Sequence, residues 1–92
     1  MRDITVMANE EFIISVPYIG NPLPRVNWTI NDIEVFSSDV IKFETKPTET
    51  IFINKKANRK HDSGKYTIFL NNSEGSDSGH CKVTVVGKFY YL

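Results

Sequence analysis

The stretch HDSGKYTIFLNNSEG, His61 to Gly75, decides the fold. It opens with Asp62-Ser63-Gly64-Lys65-Tyr66 and continues with Tyr66, Ile68 and Leu70 alternating with Thr67, Phe69 and Asn71. It ends in Asn71-Asn72-Ser73-Glu74-Gly75. A glycine at position 64 permits a tight backbone just before the alternation begins. The period of two belongs to a strand that keeps one face inward, and the closing Asn/Ser/Gly cluster is turn chemistry. The stretch therefore reads as a corner, a strand and a turn.

The same pattern runs outward in both directions. Phe12, Ile14, Val16 and Tyr18 alternate with Ile13, Ser15 and Pro17, with Ile13 making the outer face partly apolar. Val26, Trp28 and Ile30 alternate with Asn27 and Thr29, and Cys81, Val83 and Val85 alternate with Lys82 and Thr84. Val40–Thr45 and Thr50–Asn54 flank Lys46-Pro47-Thr48, and Asn31-Asp32 marks a turn after the tryptophan run. Gly20-Asn21-Pro22-Leu23-Pro24 divides the first two runs. Its prolines fix φ and lack a backbone donor, so it is not central strand. No window sustains a helical period. Short strands separated by turns about every 8–12 residues predict a β-sandwich or barrel.

One run has an ambiguous face. Either Ile51 and Ile53 or Phe52 and Asn54 point inward. The isoleucines are the expected choice, because burying Asn54 without partners costs a few kcal/mol.

Ninety-two residues make one small domain, and such a chain buries only about two thirds of its unfolded surface, which requires a well-packed core. With 40% hydrophobic and 24% charged residues the composition is that of an ordinary globular protein. Eleven basic residues balance eleven acidic ones, so the chain carries no electrostatic footprint for nucleic acid or an anionic membrane. Lys55-Lys56 and Arg59-Lys60 read as a solvated loop. No apolar run approaches the roughly 18 residues of a membrane span, and the N-terminus lacks a signal-peptide core.

Two patterns carry a resemblance that covers roughly residues 4–87. One is Gly20-x-Pro22-x-Pro24 followed by Trp28; the other is Asp62-x-Gly64-x-Tyr66 followed by Asn72-x-x-Gly75. Together they resemble an immunoglobulin domain of the I-set type, and within it the modules of the giant muscle proteins titin and twitchin. Ile41–Thr50, Asp62–Thr67, and Asn72–Ser78 running on to Cys81–Val85 carry the closer likeness. The resemblance implies an all-β, I-set sandwich of two antiparallel sheets. Residues 1–88 would form the domain and 89–92 a tail or the start of a linker. The structural core would include Val16, Trp28, Tyr66, Ile68, Cys81 and Val83. Asp62, Gly64 and Tyr66 would form a tyrosine corner, with the phenol reaching back near Asp62.

In this family the residue two after the tyrosine is often a cysteine, whose partner would fall at Val16. Here the pair is Val16 and Ile68, both apolar, and Cys81 is the single cysteine. A disulfide in a small domain contributes about 2–5 kcal/mol, and burying two branched side chains supplies about 1.5–3 kcal/mol each. A Val16–Ile68 contact can therefore stand in for the bridge. A small domain without disulfides points to a reducing compartment, and the resemblance to titin and twitchin implies that this is the cytoplasm of the sarcomere, in its A-band or M-band.

No constellation supports catalysis. His61-Asp62-Ser63 are consecutive and cannot converge on one reacting atom. His80 and Cys81 are neighbours on a strand and point to opposite faces, so they cannot share a metal. No phosphate loop or paired carboxylates stand out. Neither a cofactor nor a metal is expected. The function that the resemblance implies is a non-catalytic structural immunoglobulin module of a sarcomeric giant protein, serving as spacer, protein-binding scaffold and mechanical element in muscle. Force would be resisted by the first and last strands, Ile4–Ala8 and Lys82–Val86. Its partners would be neighbouring immunoglobulin or fibronectin type III domains of the same chain, and thick-filament or other sarcomeric proteins. The resemblance also allows a kinase domain elsewhere in the parent protein. The alternative is a recognition domain of an extracellular adhesion protein, for which the sequons Asn27-Trp28-Thr29 and Asn71-Asn72-Ser73 would matter. Exposed Ile13 and Phe69 would favour docking.

Overall fold

Period-two alternation organises eight strands among the residues described by the computed structural model, 1–19 and 23–87. They are β1 (Ile4–Met7), β2 (Phe12–Pro17), β3 (Arg25–Ile30), β4 (Ile33–Glu34), β5 (Ile41–Thr45), β6 (Glu49–Asn54), β7 (Gly64–Asn72) and β8 (Gly75–Val86). One sheet has the order β1-β8-β7-β3-β4 and the other β2-β6-β5. Neighbouring strands run antiparallel except β1 and β8, which pair in parallel from Ile4 opposite Val83 to Met7 opposite Val86. The tail Phe89–Leu92, and the expected domain end at Lys88, lie outside the described residues.

Turn residues set the corners. Asn31 and Asp32 both take positive φ, 51° and 68°, which gives the two-residue hairpin between β3 and β4 the twist it needs. Asn9, at φ 72°, lets the chain leave β1 and cross to β2 in the other sheet.

The interior is aromatic at its centre. Phe52 is fully buried and touches four rings, those of Phe12, Trp28, Phe43 and Tyr66, with centroids 5.1–6.1 Å away. Rings at these separations add about 0.5–1.5 kcal/mol per pair beyond their burial. Val6, Ile14, Ala57, Ile68, Cys81, Val83 and Val85 complete the buried apolar set.

The face of β6 corrects the sequence expectation. Thr50, Phe52 and Asn54 are fully buried, whereas Ile51 and Ile53 are only half-buried on the outer face. The expectation failed because Asn54 does have partners. Its Nδ2 donates to Asp62 Oδ2 at 3.0 Å, and its Oδ1 accepts from Lys56 N at 2.9 Å. A buried amide satisfied at both ends loses the penalty that argued against it.

Candidate functional site

The opening stretch, with the loop before it, builds a partly buried polar assembly. Asn58 folds the β6–β7 loop on itself: its Oδ1 accepts from Lys60 N and His61 N, and its carbonyl accepts from Asp62 N. Asp62 answers by accepting the Asn58 N–H at 2.6 Å. The chain then turns into β7, where Tyr66 is wholly buried and its hydroxyl donates to the Asp62 carbonyl at 2.7 Å. Burial, and then the Asp62 carboxylate nearby, push the Tyr66 phenol well above its ordinary pKa. The phenol therefore stays a neutral donor.

Gly64, at φ +145°, backs directly onto Asn31, where a Cβ would collide with the side-chain amide. That amide is engaged, since Asn31 Oδ1 accepts from Lys65 N at 3.0 Å. Ser63 Oγ accepts from Val85 N at 2.9 Å and so ties the corner to β8. The residues named for the corner, Asp62, Gly64 and Tyr66, thus meet in one place. Asn54, Asn58, Asn31 and Ser63 belong with them. In the sequence they stand only as separate turn-forming residues, Asn31 and Asn54 beside strand ends and Asn58 and Ser63 in the loop before β7.

Of the residues named for the core, Trp28, Tyr66, Ile68, Cys81 and Val83 are at most 2% exposed. Val16 is half-buried and packs against the core from its margin. Val16 and Ile68 line the same groove of ≈ 610 Å³, which opens between the sheets beside Tyr18, Pro24, Leu70 and Gly79. Burial, and then Asp3, push the Cys81 thiol upward, so it is held as a neutral, enclosed side chain. His80 is exposed while Cys81 is buried, as alternation on a strand requires. Ile13 and Phe69 are exposed on separate sheets. The sequon residues Asn27 and Asn71 are exposed as well.

The first and last strands close this assembly. Beyond β1, Ala8 N donates to Val86 O at 2.8 Å, and before it Asp3 Oδ1 accepts from Lys82 N. The pairing of β1 with β8 therefore has side-chain or main-chain reinforcement at both ends. Among the described residues no group of three metal-ligating side chains occurs, and no helix is long and apolar enough to cross a membrane.

Known proteins share this architecture. The titin homolog of Caenorhabditis elegans is 29% identical over 85 residues, covering 90% of this chain and a share of that protein that rounds to 0%. The muscle M-line assembly protein unc-89 of the same organism is 26% identical over 85 residues, covering 92% of this chain and 1% of its own length. Human leucine-rich repeats and immunoglobulin-like domains protein 2 is 28% identical over 86 residues, 94% of this chain and 8% of that protein. The chain thus spans a small fraction of each of these relatives.

Among solved structures, titin domain M7 superposes with a TM-score of 0.86 at 28% identity, covering 92% of this chain and 86% of that one. A complex of titin M10 with an obscurin-like 1 immunoglobulin domain gives a TM-score of 0.87 at 23% identity, covering 94% and 87%. The family model for the immunoglobulin I-set domain matches residues 1–85. The chain is accordingly a member of the immunoglobulin I-set family, a non-catalytic β-sandwich similar to the domains of titin and other muscle proteins.

Proposed function

We propose that this domain is one structural bead of a sarcomeric giant protein, acting as spacer, protein-binding scaffold and mechanical element in the A-band or M-band. The observation that carries the reading is the parallel pairing of β1 with β8. The two strands belong to opposite ends of the sequence and run side by side in one direction. Tension applied through the termini therefore slides one strand along the other and loads their hydrogen bonds together. Likeness to the titin homolog and unc-89 supports the muscle setting. The absence of any disulfide in the sequence suits a reducing cytoplasm. Neighbouring immunoglobulin or fibronectin type III domains, and thick-filament proteins, are the partners this reading gives it; the complex of titin M10 with another immunoglobulin domain is a precedent.

Single-molecule pulling through the termini tests the mechanical role. Rupture at a force well above that needed to extend an unfolded chain is expected. Rupture at negligible force overturns it.

The second reading, a recognition domain of an extracellular adhesion protein, has one observation in its favour: both sequon asparagines are exposed. Expression through a secretory host decides it, since glycans at Asn27 or Asn71 support it and an unmodified product does not.

A further inference from the structure

β7 is paired on both sides, with β3 and β8, and β8 likewise, with β7 and β1. Their outward face is thus the body of a sheet and not an edge. On it Lys65 stands directly opposite Lys82. Both are exposed, whereas Tyr66, Cys81 and Val83 beside them are buried. Lys65 turns its backbone toward Asn31: its carbonyl accepts from Asn31 N at 2.8 Å, and its N–H donates to Asn31 Oδ1 at 3.0 Å. Lys82 N donates the other way, to Asp3 Oδ1. The two lysines therefore form a non-hydrogen-bonded cross-strand pair, the kind that brings side chains closest.

Like charges set directly opposite each other destabilise a sheet. Among the described residues neither ammonium group has an ion-pair partner. The carboxylates of this sheet are engaged elsewhere: Asp3 holds the Lys82 N–H, and Glu34 accepts from Asn27 Nδ2 at 3.0 Å. At the β5–β6 hairpin, by contrast, Lys46 lies 3.9 Å from Glu44 and 4.0 Å from Glu49. A local rule broken without compensation inside the fold is expected at a functional position. Further along β7, Phe69 is 45% exposed on the same face, opposite Ser78. It is four residues from Lys65, which is about 13 Å along a strand.

We propose that this face docks an acidic segment of a partner protein, laid along β7 in extended form. A carboxylate of the segment sits between Lys65 and Lys82, and an apolar side chain covers Phe69. Charge complementarity selects the occupant, because one anion between the two ammonium groups replaces their repulsion with two attractions. The exposed ring sets the spacing. An extended segment advances about 3.3 Å per residue, so its acidic and apolar positions fall four apart. A nucleic acid fits less well: its binders make about 6–10 phosphate contacts, and this face offers Lys65, Lys82 and, at its far end, Arg25. The inference rests on the scaffold part of the proposed function and not on the mechanical part, so pulling and binding experiments fail separately.

NMR titration of the domain with the synthetic peptide Glu-Glu-Ser-Thr-Leu-Leu tests it. Saturable shifts centred on Lys65, Phe69 and Lys82 are expected, with binding that weakens as salt rises. Lys65→Glu is expected to weaken binding about tenfold and to leave the thermal midpoint level or higher, because it turns a like-charged pair into an opposite one. Phe69→Ser should weaken binding while leaving its salt dependence unchanged. A peptide with lysines for the glutamates should not bind. The proposal is overturned if the acidic peptide produces no saturable shifts on this face, if the lysine peptide binds equally, or if both variants bind as the wild type does. Tighter binding of duplex DNA or phosphatidylserine vesicles through the same residues also overturns it, since the occupant is then not a protein segment.

Discussion

Asn54 and Asp62, eight residues apart, meet inside the sandwich through a 3.0 Å hydrogen bond from the asparagine amide to Asp62 Oδ2. The same carboxylate oxygen holds the Asn58 N–H at 2.6 Å. Asp62→Ala strands both donors, and Asn54 is fully buried. The expected loss is about 2–3 kcal/mol, since hydrogen bonds to charged groups and buried orphans fall in that range. Urea denaturation measures it, and a change below about 0.5 kcal/mol would remove the assembly from the list of things holding the corner.

The face of β6 gives a contrast within one strand. Phe52→Ala removes the ring at the centre of the aromatic cluster and is expected to cost about 3–5 kcal/mol. Ile53→Thr, on the half-buried outer face, is expected to cost under about 1 kcal/mol. Equal losses from the two variants would contradict the observed register.

Alkaline pH should expose Tyr66. Its folded pKa lies above its ordinary value of 10.0, so the neutral phenol's contribution is fully present below pH 10 and is lost as pH rises from there. Unfolding free energy should fall by up to about 1.4 kcal/mol per pH unit in that range. Cys81, also raised, adds a similar fall starting near its ordinary 9.0. Thermal midpoints from pH 8 to 11.5 for wild type, Tyr66→Phe and Cys81→Ala separate the two. Tyr66→Phe should flatten the upper part of the profile and cost about 1 kcal/mol at neutral pH through loss of the bond to the Asp62 carbonyl.

A double substitution, Val16→Cys with Ile68→Cys, should form an inter-sheet disulfide on oxidation. Both side chains face the same groove between the sheets. A cross-linked product should resist denaturant by about 2–5 kcal/mol more than its reduced form. Free thiols after oxidation of the folded protein would show that the two positions do not approach each other.

Much of this architecture was readable because strand alternation is a local signal. Trp28 declares its inward direction through Val26 and Ile30, and Tyr66 through Ile68 and Leu70. The face of β6 was not readable in that way. Asn54 looks costly to bury until Asp62 is known to fold back onto it, and that return depends on Asn58 closing the loop between them. Val16 was expected in the core and sits at its margin, because burial there depends on what lies across the sandwich. Nor does periodicity say that β1 runs parallel to β8, since strand direction is set by how the chain crosses between sheets at Asn9.

The solitary, enclosed Cys81 has a consequence for length. With no covalent loop anywhere in the chain, nothing shortens the polymer once the fold lets go. Its longest dimension when folded is 53 Å. Fully drawn out, its 92 residues reach about 300 Å. Each such unit therefore stores several times its own span as slack. A bridge between positions 16 and 68 would lock away more than half of that reserve, so replacing it with two apolar side chains leaves nearly the whole contour free to pay out and be rewound.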